Sequence, residues 1–196
     1  MTLTRADLWS LEQYAEKRAD FRREVIAHKQ NRQVAIGPHA RLYFEDAITI
    51  RYQIQEMLRI ERIFEAAGIQ EELDAYNPLI PNGQNLKATF MLEYTDVEER
   101  KAMLAKLKGV EDKVWVKAGD SAAVYAIADE DLERENDEKT SSVHFLRFEL
   151  PGDAIESLHR DEPLIIGIDH ELVEPNKIEV SAAVRKSLTS DLKRAH

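Results

Sequence analysis

The chain has 196 residues, 43% of them hydrophobic and 33% charged, enough apolar surface to close a core, which excludes an intrinsically disordered protein. It contains no cysteine, so disulfides, a thiolate nucleophile, a Cys-based zinc site and any protein-ligated iron-sulfur cluster are excluded. The formal net charge of -10, with 18 acidic against 9 basic side chains in residues 63–140, argues against nucleic acid, whose phosphates need a clustered basic face.

The opening segment MTLTRADLWSLEQYAEKRAD is charged from Arg5 onward and has no apolar signal region. No later stretch approaches the roughly 20 apolar residues that a membrane span requires, so a cytoplasmic protein without membrane insertion is expected. Thr4 with Asp7, and Ser10 with Gln13, have the spacing of capping boxes and predict two short helices. Leu11, Tyr14, Phe21, Val25 and Ile26 supply a buried stripe, while Arg18, Arg22, Arg23, His28, Lys29 and Arg32 gather on or near the other side. That basic face is either solvated or a contact for an anion or acidic partner, with Arg22 and Arg23 as its candidate residues.

Gly37-Pro38 punctuates a hairpin with strands over 33–36 and 41–44. Asp46 can cap a helix over 47–64, with Ile50, Ile54, Met57 and Leu58 inward and Ile60 and Phe64 as further inward positions. Its β-branched start, AITIRYQI, favours a strand that runs into the helix. Arg51, Gln55, Arg59 and Arg62, spaced by four, four and three, form one donor-rich stripe. It reads as a surface knitted by ion pairs, or as an anionic-ligand site at Arg51, Gln55 and Arg59. The loop NPLIPNG over 77–83 is the strongest break in the chain. It suggests a single domain over 1–196 with an N-terminal helical lobe, 1–76, and a sheet-rich part, 84–196.

Beyond the loop come a strand over 86–94, a helix from Asp96 to Gly109, and strands over 113–117 and 122–128 about Gly119-Asp120. A strand over 143–150, a helix opened by Pro151, a strand over 164–169, a short strand near Ile178 and a helix from Ala183 follow. Strands and helices mix without strict alternation, which predicts an α+β fold: an antiparallel or mixed sheet flanked by helices, with an N-terminal helical segment.

The seven glycines are too scattered for a phosphate-cradling loop, and Gly-x-Ser-x-Gly is absent. The acidic run DEDLERENDEKT over 129–140 starts like a calcium loop, but has Arg134 where an EF-hand needs glycine and Thr140 where it needs a bidentate Glu. Glu156-x-x-His159 has di-iron spacing, yet such sites need a second copy on four long helices. A mononuclear, non-haem divalent metal held by dispersed imidazoles and carboxylates stays open. Its candidates are His144, Glu56, Glu61, His39 and His170. Alternation along 143–150 turns His144 to the same face as Leu146 and Phe148, where an imidazole requires a partner.

The strings RYQIQEMLRIERIFEAAGIQEELDAYNPLIPNGQNLKATFMLEYTDVEER and VYAIADEDLERENDEKTSSVHFLRFEL resemble a proteobacterial family defined only as a domain of unknown function. The likeness spans nearly the whole chain. Members are encoded beside a rubrerythrin and a cysteine-rich iron-sulfur oxidoreductase subunit, so the resemblance implies an accessory protein of a redox or peroxide-stress system, with one of those proteins as partner. Any iron-sulfur cluster would belong to the neighbour. The basic N-terminal cluster and the acidic 129–140 segment are complementary patches for such a partner or for a homodimer.

Overall fold

Both expected capping boxes form. Asp7 Oδ2 accepts from the Thr4 N–H and hydroxyl at 2.8 Å, while Ser10 Oγ and Gln13 Oε1 accept from each other's backbone N–H. Only the second opens an α-helix. The first closes a 3-10 turn, Arg5–Asp7, and α1 (Leu11–Gln30) is one long helix rather than a second short one, because no breaker interrupts it. The computed structural model describes residues 2–130 and 139–194. Helix α1 buries Tyr14, Phe21 and Val25, whereas Ile26 is 48% exposed, since one residue beyond Val25 turns it about 100° away from the buried stripe.

Strands β1 (Gln33–Ile36) and β2 (Ala40–Phe44) pair antiparallel around Gly37, whose φ of 67° lies in the left-handed region that glycine enters freely. Asp46 then opens α2 (Ala47–Glu61) by accepting from the Ile48 and Thr49 N–H groups at 2.9 Å. The β-branched start is therefore helix and not strand. Branching lowers helix propensity by only a few tenths of a kcal/mol per residue, and the cap plus a buried Ile50, Ile54 and Leu58 stripe outweighs it. Arg62, at φ 56°, ends α2 early, leaving Ile60 and Phe64 65% and 70% exposed instead of inward. A further helix absent from the sequence reading, α3 (Ala66–Tyr76), packs Leu73 against that stripe.

After the loop come β3 (Asn85–Leu92), α4 (Val97–Lys106), β4 (Val114–Ala118), β5 (Val124–Tyr125), β6 (Ile127–Ala128), β7 (Val143–Glu149), α5 (Gly152–His159), β8 (Leu164–Ile168), β9 (Lys177–Glu179) and α6 (Ala182–Thr189). The fold is α+β, and its strands divide between two antiparallel sheets, ordered β1-β2-β3-β7-β6 and β5-β4-β8-β9. The segment 122–128 is two strands. Val124 and Tyr125 pair with β4, the Ala126 N–H still bonds the Val114 carbonyl at 2.8 Å, and Ile127 and Ala128 cross to β7.

The inner faces of both sheets share one apolar core with α4, α5 and α6, containing Leu42, Phe90, Val116, Phe148, Ile166 and Leu188. Alternation places the strand side chains among these, since a one-residue slip would turn each strand's apolar set to solvent. Gly167 lies opposite Trp115, where a Cβ would meet the indole at 2.2 Å. Because β2 pairs with β3, the first sheet crosses the 77–83 loop and draws its strands from both 1–76 and 84–196. Among the described residues no helix is long and apolar enough to cross a membrane.

Candidate metal centre

Strand β7 carries His144 inward, opposite Phe90 of β3 and fully buried. The crossing of β5 into β6 delivers Asp129 beside it. Asp129 stands at φ 48°, a left-handed position that Asp tolerates better than most residues, and its N–H bonds the Phe145 carbonyl at 2.9 Å. Its Oδ1 accepts from the Phe145 N–H at 2.9 Å, and its Oδ2 meets His144 Nδ1 at 2.5 Å.

The other imidazole nitrogen, Nε2, faces three oxygens. Thr140 Oγ1 and the Ser141 carbonyl lie 3.0 Å away, and Glu111 Oε2 lies 3.8 Å away. Glu111 comes from the short 3-10 turn between α4 and β4. The Thr140 N–H is bonded to the Leu104 carbonyl of α4, and its hydroxyl lies 3.2 Å from Glu111 Oε2. Glu111 and Thr140 are both buried. Ligand atoms of Glu111, Asp129 and His144 all lie within 4.8 Å of one another, the one such His, Asp and Glu group among the described residues.

Two roles separate on distance. Ligand atoms bound to one ion at about 2.0–2.2 Å sit roughly 3–4 Å apart, so the 2.5 Å approach of Asp129 to Nδ1 is a hydrogen bond. A carboxylate that holds the far nitrogen of an imidazole fixes its tautomer and aims the near one. The near nitrogen, Glu111, Thr140 Oγ1 and the Ser141 carbonyl have separations suited to a shared cation. One nitrogen among hard oxygens suits manganese, iron(II) or zinc rather than copper(I).

Of the residues singled out from sequence, His144 is in this cluster and Glu56, Glu61, His39 and His170 are outside it. Glu56 is held by Arg18 and Tyr14 in the helical layer, and Glu61 is exposed at the end of α2. His39 stacks on Tyr94 at 4.1 Å. His170 Nδ1 accepts from the Leu172 N–H at 3.2 Å, and burial, then Lys113, pushes its imidazole below the ordinary pKa.

The basic candidates divide as well. Arg22 and Arg23 are exposed on α1, with Arg23 paired to Asp20. Arg32, expected on an outer face, is fully buried. Gln55, expected in a surface stripe with Arg51 and Arg59, is fully buried too, with Oε1 accepting from the Trp9 N–H at 2.7 Å, while Arg59 stays exposed. Most of the acidic run, residues 131–138, lies outside the described residues. Sequence reasoning missed Glu111, Asp129 and Thr140 as neighbours of His144. Asp129 and Thr140 are the two ends of that run, a sign that its flanks converge, but no spacing signal marks Glu111.

A family model described as "Protein of unknown function (DUF3501)" matches residues 2–192. The chain belongs to this family. It is similar to a novel protein of unknown function from Burkholderia pseudomallei K96243, known from a crystal structure, with 53% identity over 98% of this chain and 100% of that one and a TM-score of 0.92. Comparison with curated proteins gives no significant match. In this DUF3501 chain the His144 cluster is assembled from β7, the residue that follows β6 and the 3-10 turn before β4, so the fold itself positions it.

Proposed function

We propose that this DUF3501 protein binds a non-haem divalent metal ion and serves, in the cytoplasm, as a metal-dependent accessory or sensor component of a redox or peroxide-stress system. His144 Nε2 and Glu111 are the principal ligands, Thr140 Oγ1 and the Ser141 carbonyl complete the set, and Asp129 positions the imidazole. The observation that carries this reading is the surround of Nε2. Thr140 Oγ1 and the Ser141 carbonyl at 3.0 Å and Glu111 Oε2 at 3.8 Å converge on it in a buried setting, a set of hard oxygens beside one imidazole nitrogen that matches the donors a divalent cation takes. The redox setting rests on the family resemblance. A rubrerythrin or an iron-sulfur oxidoreductase subunit is the partner that it implies, and any cluster sits on that partner because this chain has no cysteine.

Elemental analysis of tag-free protein and calorimetric titration with manganese, iron(II) and zinc test the proposal. About one ion per chain is expected, with binding lost in Glu111→Gln and weakened about 10–100-fold in Asp129→Asn, as for other residues that orient a ligand. Metal at 100 times its Kd should stabilise the fold by about 2.7 kcal/mol. Less than about a tenth of an equivalent after isolation, together with no saturable uptake on titration, overturns the proposal and leaves a structural hydrogen-bond network.

A further inference from the structure

We infer that Arg51 and Lys17, gathered on the indole of Trp9, form a second site that takes a small oxyanion, a phosphate or a carboxylate. This site belongs to the helical layer and does not depend on the metal reading.

Trp9 is fixed from both sides of its peptide by the buried Gln55, whose Oε1 accepts from its N–H at 2.7 Å and whose Nε2 donates to its carbonyl at 3.4 Å. Its ring joins an aromatic layer between α1 and α2, 5.1 Å from Phe21 edge-on and 6.2 Å from Tyr14. The Arg51 guanidinium lies 4.0 Å from the centre of the Trp9 ring and 5.5 Å from that of Phe21. Arg51 Nε is buried without a hydrogen-bond partner, and no acidic side chain is within ion-pair distance of the guanidinium among the described residues. Asp7, whose carboxylate feels the Arg51 charge, is engaged by the Thr4 N–H and hydroxyl. Lys17 Nζ approaches the same indole at 5.9 Å.

Two cations gathered on one ring repel each other, and a neighbouring anion relieves that repulsion. A guanidinium carries five N–H donors in a planar fork that matches the paired oxygens of carboxylate and phosphate, and Arg51 is half-buried, so part of its side chain is open to solvent. An oxyanion there would accept from the Arg51 fork, neutralise Lys17 and remove the repulsion. The site differs from the Arg51, Gln55 and Arg59 stripe expected from spacing, because Gln55 is engaged inward and Lys17 of α1 stands where Arg59 was expected.

The test follows the Trp9 indole and Arg51 Nε–H resonances of isotope-labelled full-length protein during titration with sodium phosphate and, separately, sodium succinate, at ionic strength held constant with chloride. Saturable shifts with phosphate alone assign a phosphate ligand, and with succinate alone a carboxylate. In either case half-saturation should rise at least tenfold in Arg51→Gln and several-fold in Lys17→Gln, and stay unchanged in Arg23→Gln. Lys17 is exposed, so its variant keeps the test sound if Arg51→Gln fails to fold. Shifts that chloride reproduces, that never saturate, or that survive Lys17→Gln unaltered overturn the proposal.

Discussion

Glu56 accepts two hydrogen bonds from Arg18, at 2.7 and 2.8 Å, and one from the Tyr14 hydroxyl at 2.6 Å. The Arg18 bonds hold its carboxyl below the usual range, while burial and this same carboxylate push the Tyr14 phenol up. A carboxylate so engaged has few lone pairs left for a metal, an engagement that neither its residue type nor its position in the sequence reveals. A depressed folded-state pKa contributes stability that is present above the unfolded value and lost as pH falls through the folded one. Wild-type protein should therefore lose part of its stability as pH falls below about 5, near and under the ordinary Glu value, and Glu56→Gln should flatten that acid limb in urea titrations at stepped pH. His144 was legible from strand alternation alone. Its partners were not, because alternation tells which face a residue occupies and nothing about what arrives there from other elements.

At the scale of elements, caps were the most legible feature, since a cap is a local bargain among four residues. Asp46 shows how tertiary structure then adds to it. Its Oδ1 accepts from the Ile48 and Thr49 N–H groups, while its Oδ2 meets His28 Nε2 at 2.5 Å and Arg32 Nε at 3.4 Å. Asp46→Ala should lower stability by about 1–3 kcal/mol, the loss of a cap plus its ion pairs, and the melting temperature by about 2–4 °C per kcal/mol. Asp46→Asn, which keeps the cap acceptor and loses the charge, should fall between, as measured by calorimetry. The 122–128 segment was legible as extended but not as two strands. Extended backbone offers hydrogen bonds on either edge, and which sheet takes each residue depends on strands distant in the chain.

For the whole molecule, Arg32 is the junction. Buried to 1% exposure, it donates to the Phe44 and Glu45 carbonyls at 3.0 and 3.1 Å, to Ser187 Oγ at 3.3 Å, and to Asp191 near the C-terminus. Burial pushes the Asp191 carboxyl above its ordinary pKa, against the opposing pull of Arg32. Removing one partner of a buried pair leaves an unpaired charge, so Arg32→Met should cost about 3–5 kcal/mol in urea unfolding. The double variant Arg32→Met with Asp191→Asn should recover part of that loss, because the two sites are coupled.

By itself the sequence determined the α+β class, the capped helix starts, the inward face of β7 with His144 on it, and the absence of cysteine chemistry. Each follows from local spacing or from composition, which the chain carries wherever it folds. Only the tertiary structure decided that the strands form two sheets, that Glu111, Asp129 and Thr140 surround His144, and that Gln55 turns inward while Arg51 has no acidic partner among the described residues. These depend on segments far apart in sequence meeting at a few ångströms, and burial, not spacing, selects which of them meet.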